Sequence, residues 1–254
     1  TAALVAEALR AGFRGIDTAC QPRHYNEAGV GDGIAQCLGT DVERGELYIQ
    51  TKFSPLDAHD PANVPYDASA PIAEQVEQSF ARSLENLGVD LLDGLVLHSP
   101  YGDGADTLEA WRALEAVAAR GGTKLIGISN CYSLALLEAL YDAAEIKPSV
   151  VQNRFYRDTR YDRAVRAFCR DHGIVYQSFW TLTANPDLLA SDEITAIAAR
   201  YQRSPEQVLF RYLTQHGVAP LTGTTSREHM REDLAIFEFE LADDECQAIG
   251  KLVG

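Results

Sequence analysis

Residues 125–129 read Leu-Ile-Gly-Ile-Ser, a short run that stays apolar until its last residue. Such a run suits a strand covered on both faces, as in a parallel sheet flanked by helices; a half-wet strand would alternate. Upstream, Leu108–Arg120 has helical spacing with a charged outer face, and the same exchange of strand and helix recurs in both directions. Strands are predicted within GFRGIDTA (12–19) and at Leu47–Lys52, Leu92–Leu97, Val150–Gln152, Val175–Phe179 and Ala219–Thr222. Helices are predicted at Ala2–Ala11, Asn26–Leu38 and Ile72–Leu87, with a last one beginning near Leu241. No Pro/Ser-rich linker or like-charge block interrupts this rhythm, so a single domain spanning residues 1–254 is expected.

Seven strands are counted, whereas a closed (β/α)8 TIM barrel has eight. The chain begins inside what would be the helix after the first strand, so the expectation is an α/β barrel with that strand missing from the given sequence. An open doubly wound sheet would accept seven strands but ordinarily carries a glycine-rich turn between strand and helix. The one candidate, Gly29-Val30-Gly31-Asp32-Gly33, follows a long loop and reads as helix-start packing instead.

A formal net charge of -15 argues against nucleic acid and anionic membrane surfaces as partners. No apolar run approaches the roughly 20 residues of a membrane span. Cys20, Cys37, Cys131, Cys169 and Cys246 are odd in number and widely spaced, which fits a reducing, cytoplasmic setting. The six histidines make no metal-ligand spacing, so no metal is expected.

In a barrel the chemistry lies at the carboxyl ends of the strands. Asp17, Lys52 and His98 close three predicted strands, and Tyr25 lies in the loop after Asp17. An Asp and a Lys from adjacent strand ends can form a buried pair, and a phenol beside that ammonium is expected to have its pKa lowered. His24 is the nearest alternative proton donor.

Taken together, GIDTA (15–19), HYNEAGVG (24–31), YIQTKF (48–53), SLENLGVDLLDGLVLHSP (83–100), LIGISN (125–130), VVQN (150–153) and PLTGTT…HMREDL (220–234) resemble the aldo-keto reductases, in order and over nearly the whole chain. The resemblance implies reduction of small aldehydes or ketones by NADPH or NADH, and the reverse reaction. Tyr25 would donate the proton, Lys52 and Asp17 would tune it, and His98 would orient the carbonyl. It further implies that Ser129, Asn130 and Gln152 hold the nicotinamide carboxamide, with Phe179 under the ring. Thr222, Gly223, Thr224, His229 and Asp233 fall in the coenzyme's phosphate region.

The chain departs from the family pattern at two places. DTACQPRHYNE carries extra loop residues before Tyr25, and the basic residues that usually meet a 2′-phosphate are replaced near Thr222–Thr224 and at His229. Losing those cations should weaken selectivity for NADPH, although Thr225, Ser226, Arg227 and Arg231 stand close enough in sequence to contribute. Phe53, Tyr101 and Trp180 are candidate walls of an open substrate pocket. Two other readings use the same residues: a Schiff-base lyase acting through Lys52, and a barrel that binds coenzyme with little or no turnover.

Overall fold

Every predicted strand is present in the computed structural model, which describes residues 1–253. The chain divides into two units, Thr1–Val150 and Val151 onward.

The first unit alternates α1 (Ala2–Ala11), β1 (Gly15–Asp17), α2 (Glu27–Ala35), β2 (Tyr48–Phe53), α3 (Ile72–Leu87), β3 (Leu92–Leu97), α4 (Gly104–Ala119), β4 (Thr123–Ser129) and α5 (Leu134–Ala143). Its strands pair in chain order and all in parallel, β1 with β2, β2 with β3 and β3 with β4. β3 is buried throughout and β2 from Ile49 onward, as double coverage requires. β4 departs from that expectation, because Lys124 and Leu125 are exposed between the buried Thr123 and the run that is buried from Ile126 onward.

Local chemistry sets the boundaries. The helix expected from Asn26 starts at Glu27, with Asn26 as its cap, the Oδ1 atom accepting from the Gly29 amide at 2.9 Å. The helix expected from Leu108 starts earlier, at Gly104, because Asp103 caps it through the Ala105 amide at 2.8 Å. α3 ends on Gly88, whose φ of 65° is the left-handed conformation glycine supplies without strain. The glycine run in α2 serves close approach: a Cβ at Gly31 would stand 2.2 Å from the Asn86 carbonyl oxygen, and one at Gly33 2.6 Å from that of Ala2.

Beyond the boundary come the rest of β5 (Val150–Arg154), then α6 (Arg163–Asp171), β6 (Val175–Phe179), α7 (Pro186–Leu189), α8 (Asp192–Tyr201), α9 (Pro205–Gln215), β7 (Val218–Pro220), α10 (Arg227–Leu234) and α11 (Asp243–Leu252). β6 and β7 pair in parallel. The last strand is shorter than the sequence suggests, stopping at Pro220, and the last helix starts at Asp243 rather than Leu241. Ser204 and Gln207 form a capping box at the start of α9. The five cysteines are free, and no helix among the described residues is long and apolar enough to cross a membrane.

Candidate active site

Strand register builds the polar cluster of the first unit. Asp17 pairs with Gln50 across β1 and β2, and side chains two residues apart share a face, so Gln50 and Lys52 both reach the Asp17 carboxylate. Lys52 Nζ donates to Asp17 Oδ2 at 2.6 Å and to the Thr18 carbonyl at 2.8 Å, while Gln50 Nε2 donates to Asp17 Oδ1 at 2.7 Å. Behind them the Tyr48 hydroxyl donates to Gln50 Oε1 at 2.8 Å. Gly94 on β3 leaves room for this relay, since a Cβ there would meet the Tyr48 hydroxyl oxygen at 2.6 Å. The Lys52 side chain is fully buried and that of Asp17 is 19% exposed, so the pair lies where water reaches only the carboxylate.

The loop between β1 and α2 lays the Tyr25 ring over this pair, with Lys52 Nζ 5.5 Å from the ring centroid. His98, directly after β3, meets the same ring edge to face at 5.7 Å between centroids. The four side chains singled out in sequence, Asp17, Tyr25, Lys52 and His98, thus stand together, whereas His24 points to solvent.

The electrostatics of Tyr25 correct the expectation. Its phenol is pushed up to about 12 rather than lowered, first by burial and then by the Asp17 carboxylate. The Lys52 charge is matched by Asp17 at 2.6 Å, so lost hydration of the phenolate decides the sign. His98 moves the other way, to about 3, because burial and the neighbouring Lys52 ammonium both disfavour a second positive charge. Phenol and imidazole are therefore both neutral near pH 7. Behind the imidazole, the Ser54 hydroxyl lies 2.6 Å from Nδ1, a contact that no sequence pattern announced.

Ser129 ends β4 in a buried position, and Asn130 follows with φ 53°. The Asn130 amide is directed into the protein, donating to the His98 carbonyl at 2.8 Å and accepting from the Tyr132 hydroxyl at 3.1 Å. Phe53 is not a pocket wall: it is buried and packs on Tyr66 at 5.6 Å, because the last residue of β2 turns into the core. Tyr101 is half-buried, its hydroxyl oxygen enclosed without a hydrogen-bond partner.

In the second unit Gln152 Nε2 donates to Gln177 Oε1 at 2.9 Å, and Phe179 closes β6 half-exposed. Trp180 is exposed, and the Arg154 guanidinium lies over its ring at 4.0 Å. A cavity of about 500 Å³ is lined by Thr222, Gly223, Thr224 and His229, by the carboxyl residues Glu206, Glu232 and Asp233, and by Leu182, Thr183, Leu189 and Ser204. Asp233 accepts from the Thr222 hydroxyl at 2.7 Å, and burial raises its pKa in spite of that bond. Arg227 and Arg231 are exposed on α10 and do not line the cavity, which has no Lys or Arg among its described lining residues. Glu206 and Glu232 were not singled out in sequence, since acidic residues on amphipathic helices normally mark a solvated face.

Parallel strands thus gather an ion pair, a phenol and a neutral imidazole near their carboxyl ends. A sequence model of the aldo/keto reductase family matches residues 1–253. Two Bacillus subtilis (strain 168) proteins, "Uncharacterized oxidoreductase YtbE" and "Glyoxal reductase", are each 33% identical over 249 residues, covering 98% of this chain and 82% of theirs. The crystal structure of Bombyx mori aldo-keto reductase (AKR2E4) in complex with NADP superposes with a TM-score of 0.82 at 26% identity, covering 98% of this chain and 81% of that one. The chain belongs to the aldo/keto reductase family. It has that family's (β/α)8 fold, seven of whose strands are described here, and is an NAD(P)-dependent oxidoreductase.

Proposed function

We propose that the protein reduces small aldehydes and ketones to alcohols, with Tyr25 as proton donor and His98 as the group that orients the carbonyl. The observation that carries this reading is the meeting of Tyr25 and His98 over the buried Lys52–Asp17 pair. Two neutral donors on rings 5.7 Å apart suit a carbonyl oxygen that becomes an alkoxide, because each hydrogen bond strengthens as negative charge develops. Lys52, fixed by two hydrogen bonds, stands beneath the phenol ring and offsets the Asp17 carboxylate, which pushes the phenol up. Asp17 and Gln50 hold that ammonium in place.

The residues of the second unit fit a dinucleotide. Phe179 offers a flat face at a strand end, the Thr224 hydroxyl and His229 offer hydrogen bonds to phosphate oxygens, and the Thr222 oxygen, whose hydrogen goes to Asp233, can accept from a ribose hydroxyl. The bound reduced coenzyme supplies the hydride. Ser129, Asn130 and Gln152 are the residues assigned to the nicotinamide amide by resemblance. With three carboxyl residues and no Lys or Arg on its wall, the cavity favours acceptance of NADH alongside NADPH, since no cation there rewards the additional phosphate.

A lyase acting through Lys52 is disfavoured by the same geometry. A nitrogen that attacks a carbonyl needs a free lone pair, whereas this one sits as the cation of an ion pair. The deciding experiment is Tyr25→Phe. Carbonyl-dependent oxidation of NADPH and NADH should fall by roughly 100-fold or more while coenzyme affinity, read from fluorescence quenching, stays within about twofold. Turnover retained at the wild-type level would rule Tyr25 out.

A further inference from the structure

Ser54 follows β2 and is fully buried, and its hydroxyl has one partner among the described residues, Nδ1 of His98 at 2.6 Å. Both ends of this contact are anchored. The Ser54 carbonyl accepts from the Tyr66 hydroxyl at 2.8 Å and from His59 Nε2 at 3.1 Å. The His98 amide donates to the Phe53 carbonyl at 2.8 Å, and the His98 carbonyl accepts from Asn130 at 2.8 Å. The backbone of each residue is thereby fixed by groups unrelated to the contact between their side chains.

Counting hydrogens decides which way the bond runs. A serine hydroxyl has one hydrogen to place, and a neutral imidazole has one N–H and one bare nitrogen. Were Nδ1 to carry the ring hydrogen, it would donate to Ser54 Oγ, and the serine's own hydrogen would be buried with no acceptor, at a cost of about 1–3 kcal/mol. With Nδ1 bare, Ser54 donates to it and the buried serine hydrogen is met. The ring hydrogen then sits on Nε2, which has no partner among the described residues.

We propose that Ser54 is a positioning residue: by donating to Nδ1 it holds His98 in the tautomer whose Nε2–H can be given to a substrate carbonyl. The proposal rests on the role assigned above to His98. A carbonyl oxygen only accepts, so the opposite tautomer would present it with a lone pair and repel it. Ser54 touches no reacting atom and acts through the imidazole alone.

The test reads the tautomer directly, by long-range 1H–15N correlation on the full-length protein with labelled histidine. Wild type should show His98 with a bare Nδ1 and a protonated Nε2, Ser54→Ala a shift toward the other form, and Ser54→Thr, which keeps the hydroxyl, the wild-type pattern. Carbonyl reduction should fall about 10- to 100-fold in Ser54→Ala with coenzyme affinity unchanged, and recover in Ser54→Thr. A protonated Nδ1 in the wild-type protein overturns the proposal and needs no variant to fold. An unchanged tautomer in Ser54→Ala overturns it equally. A shifted tautomer with undiminished turnover would uphold Ser54's hold on the ring while removing His98 from the reaction, which separates failure of this inference from failure of the reading beneath it.

Discussion

Tyr25 and His98 titrate in opposite directions for one physical reason, since both lose water and water favours whichever form is charged. For the phenol the charged form is the anion, so its pKa rises to about 12; for the imidazole it is the cation, so its pKa falls to about 3. The stability consequence for His98 has a definite sign. An unfolded chain takes up a proton on this residue near its ordinary value of 6.5, whereas the folded one resists until about 3, so native stability declines as pH falls through that window. His98→Gln removes this pH dependence. Its urea midpoint should drop less than that of wild type between neutral pH and about 4, and parallel acid profiles would mean that the imidazole is better hydrated than its surroundings indicate. The sequence marks Asp17, Lys52 and His98 because each closes an apolar run. It does not reveal the Tyr48–Gln50 relay or Ser54, whose contacts depend on inter-strand register and on the path of the loop after β2. Nor does it give the sign of the Tyr25 shift, because residue order indicates which charges are near but not how much water is removed.

Elements are positioned here by backbone proximity as much as by apolar packing. α2 is the helix that follows the Tyr25 loop, and it lies against α1 and α3 at distances that only glycine permits. At Gly31 a methyl group would meet the Asn86 carbonyl at 2.2 Å and the Leu87 Cα at 2.8 Å, both backbone atoms that cannot rotate away. Gly31→Ala should therefore destabilise by about 1–3 kcal/mol and, by displacing α2, disturb the loop that carries Tyr25. At Gly104, the first residue of α4, a methyl group would have no neighbour within 4 Å, so Gly104→Ala should be neutral or stabilising by about 0.5 kcal/mol. Urea unfolding of the two variants tests the contrast, and equal midpoints would sink it. The alternation of strand and helix was plain in sequence because its apolar periods differ. The helix starts at Glu27 and Gly104 were displaced from expectation because single caps, Asn26 and Asp103, outrank periodicity at a helix end.

At the scale of the whole molecule, the chain carries a net charge of -15, and the cavity proposed to take the coenzyme is lined by Glu206, Glu232 and Asp233 among others. Both coenzymes are anions, and NADPH carries the extra charge of its 2′-phosphate. A protein that met that phosphate with Lys or Arg would lose NADPH affinity as salt screened the attraction. Here the prevailing field is repulsive, so screening should act with the opposite sign. Raising ionic strength from about 0.01 M to about 0.1 M shortens the Debye length from about 30 Å to about 10 Å. Over that range kcat/KM should rise for both coenzymes, and more steeply for NADPH, narrowing any advantage of NADH. Steady-state rates with each coenzyme across a salt series, at constant pH and with one carbonyl substrate, measure the two slopes. A kcat/KM for NADPH that falls with salt would mean that Arg227 or Arg231 turns from the exposed face of α10 to meet the phosphate, and the acidic lining would then not set coenzyme choice.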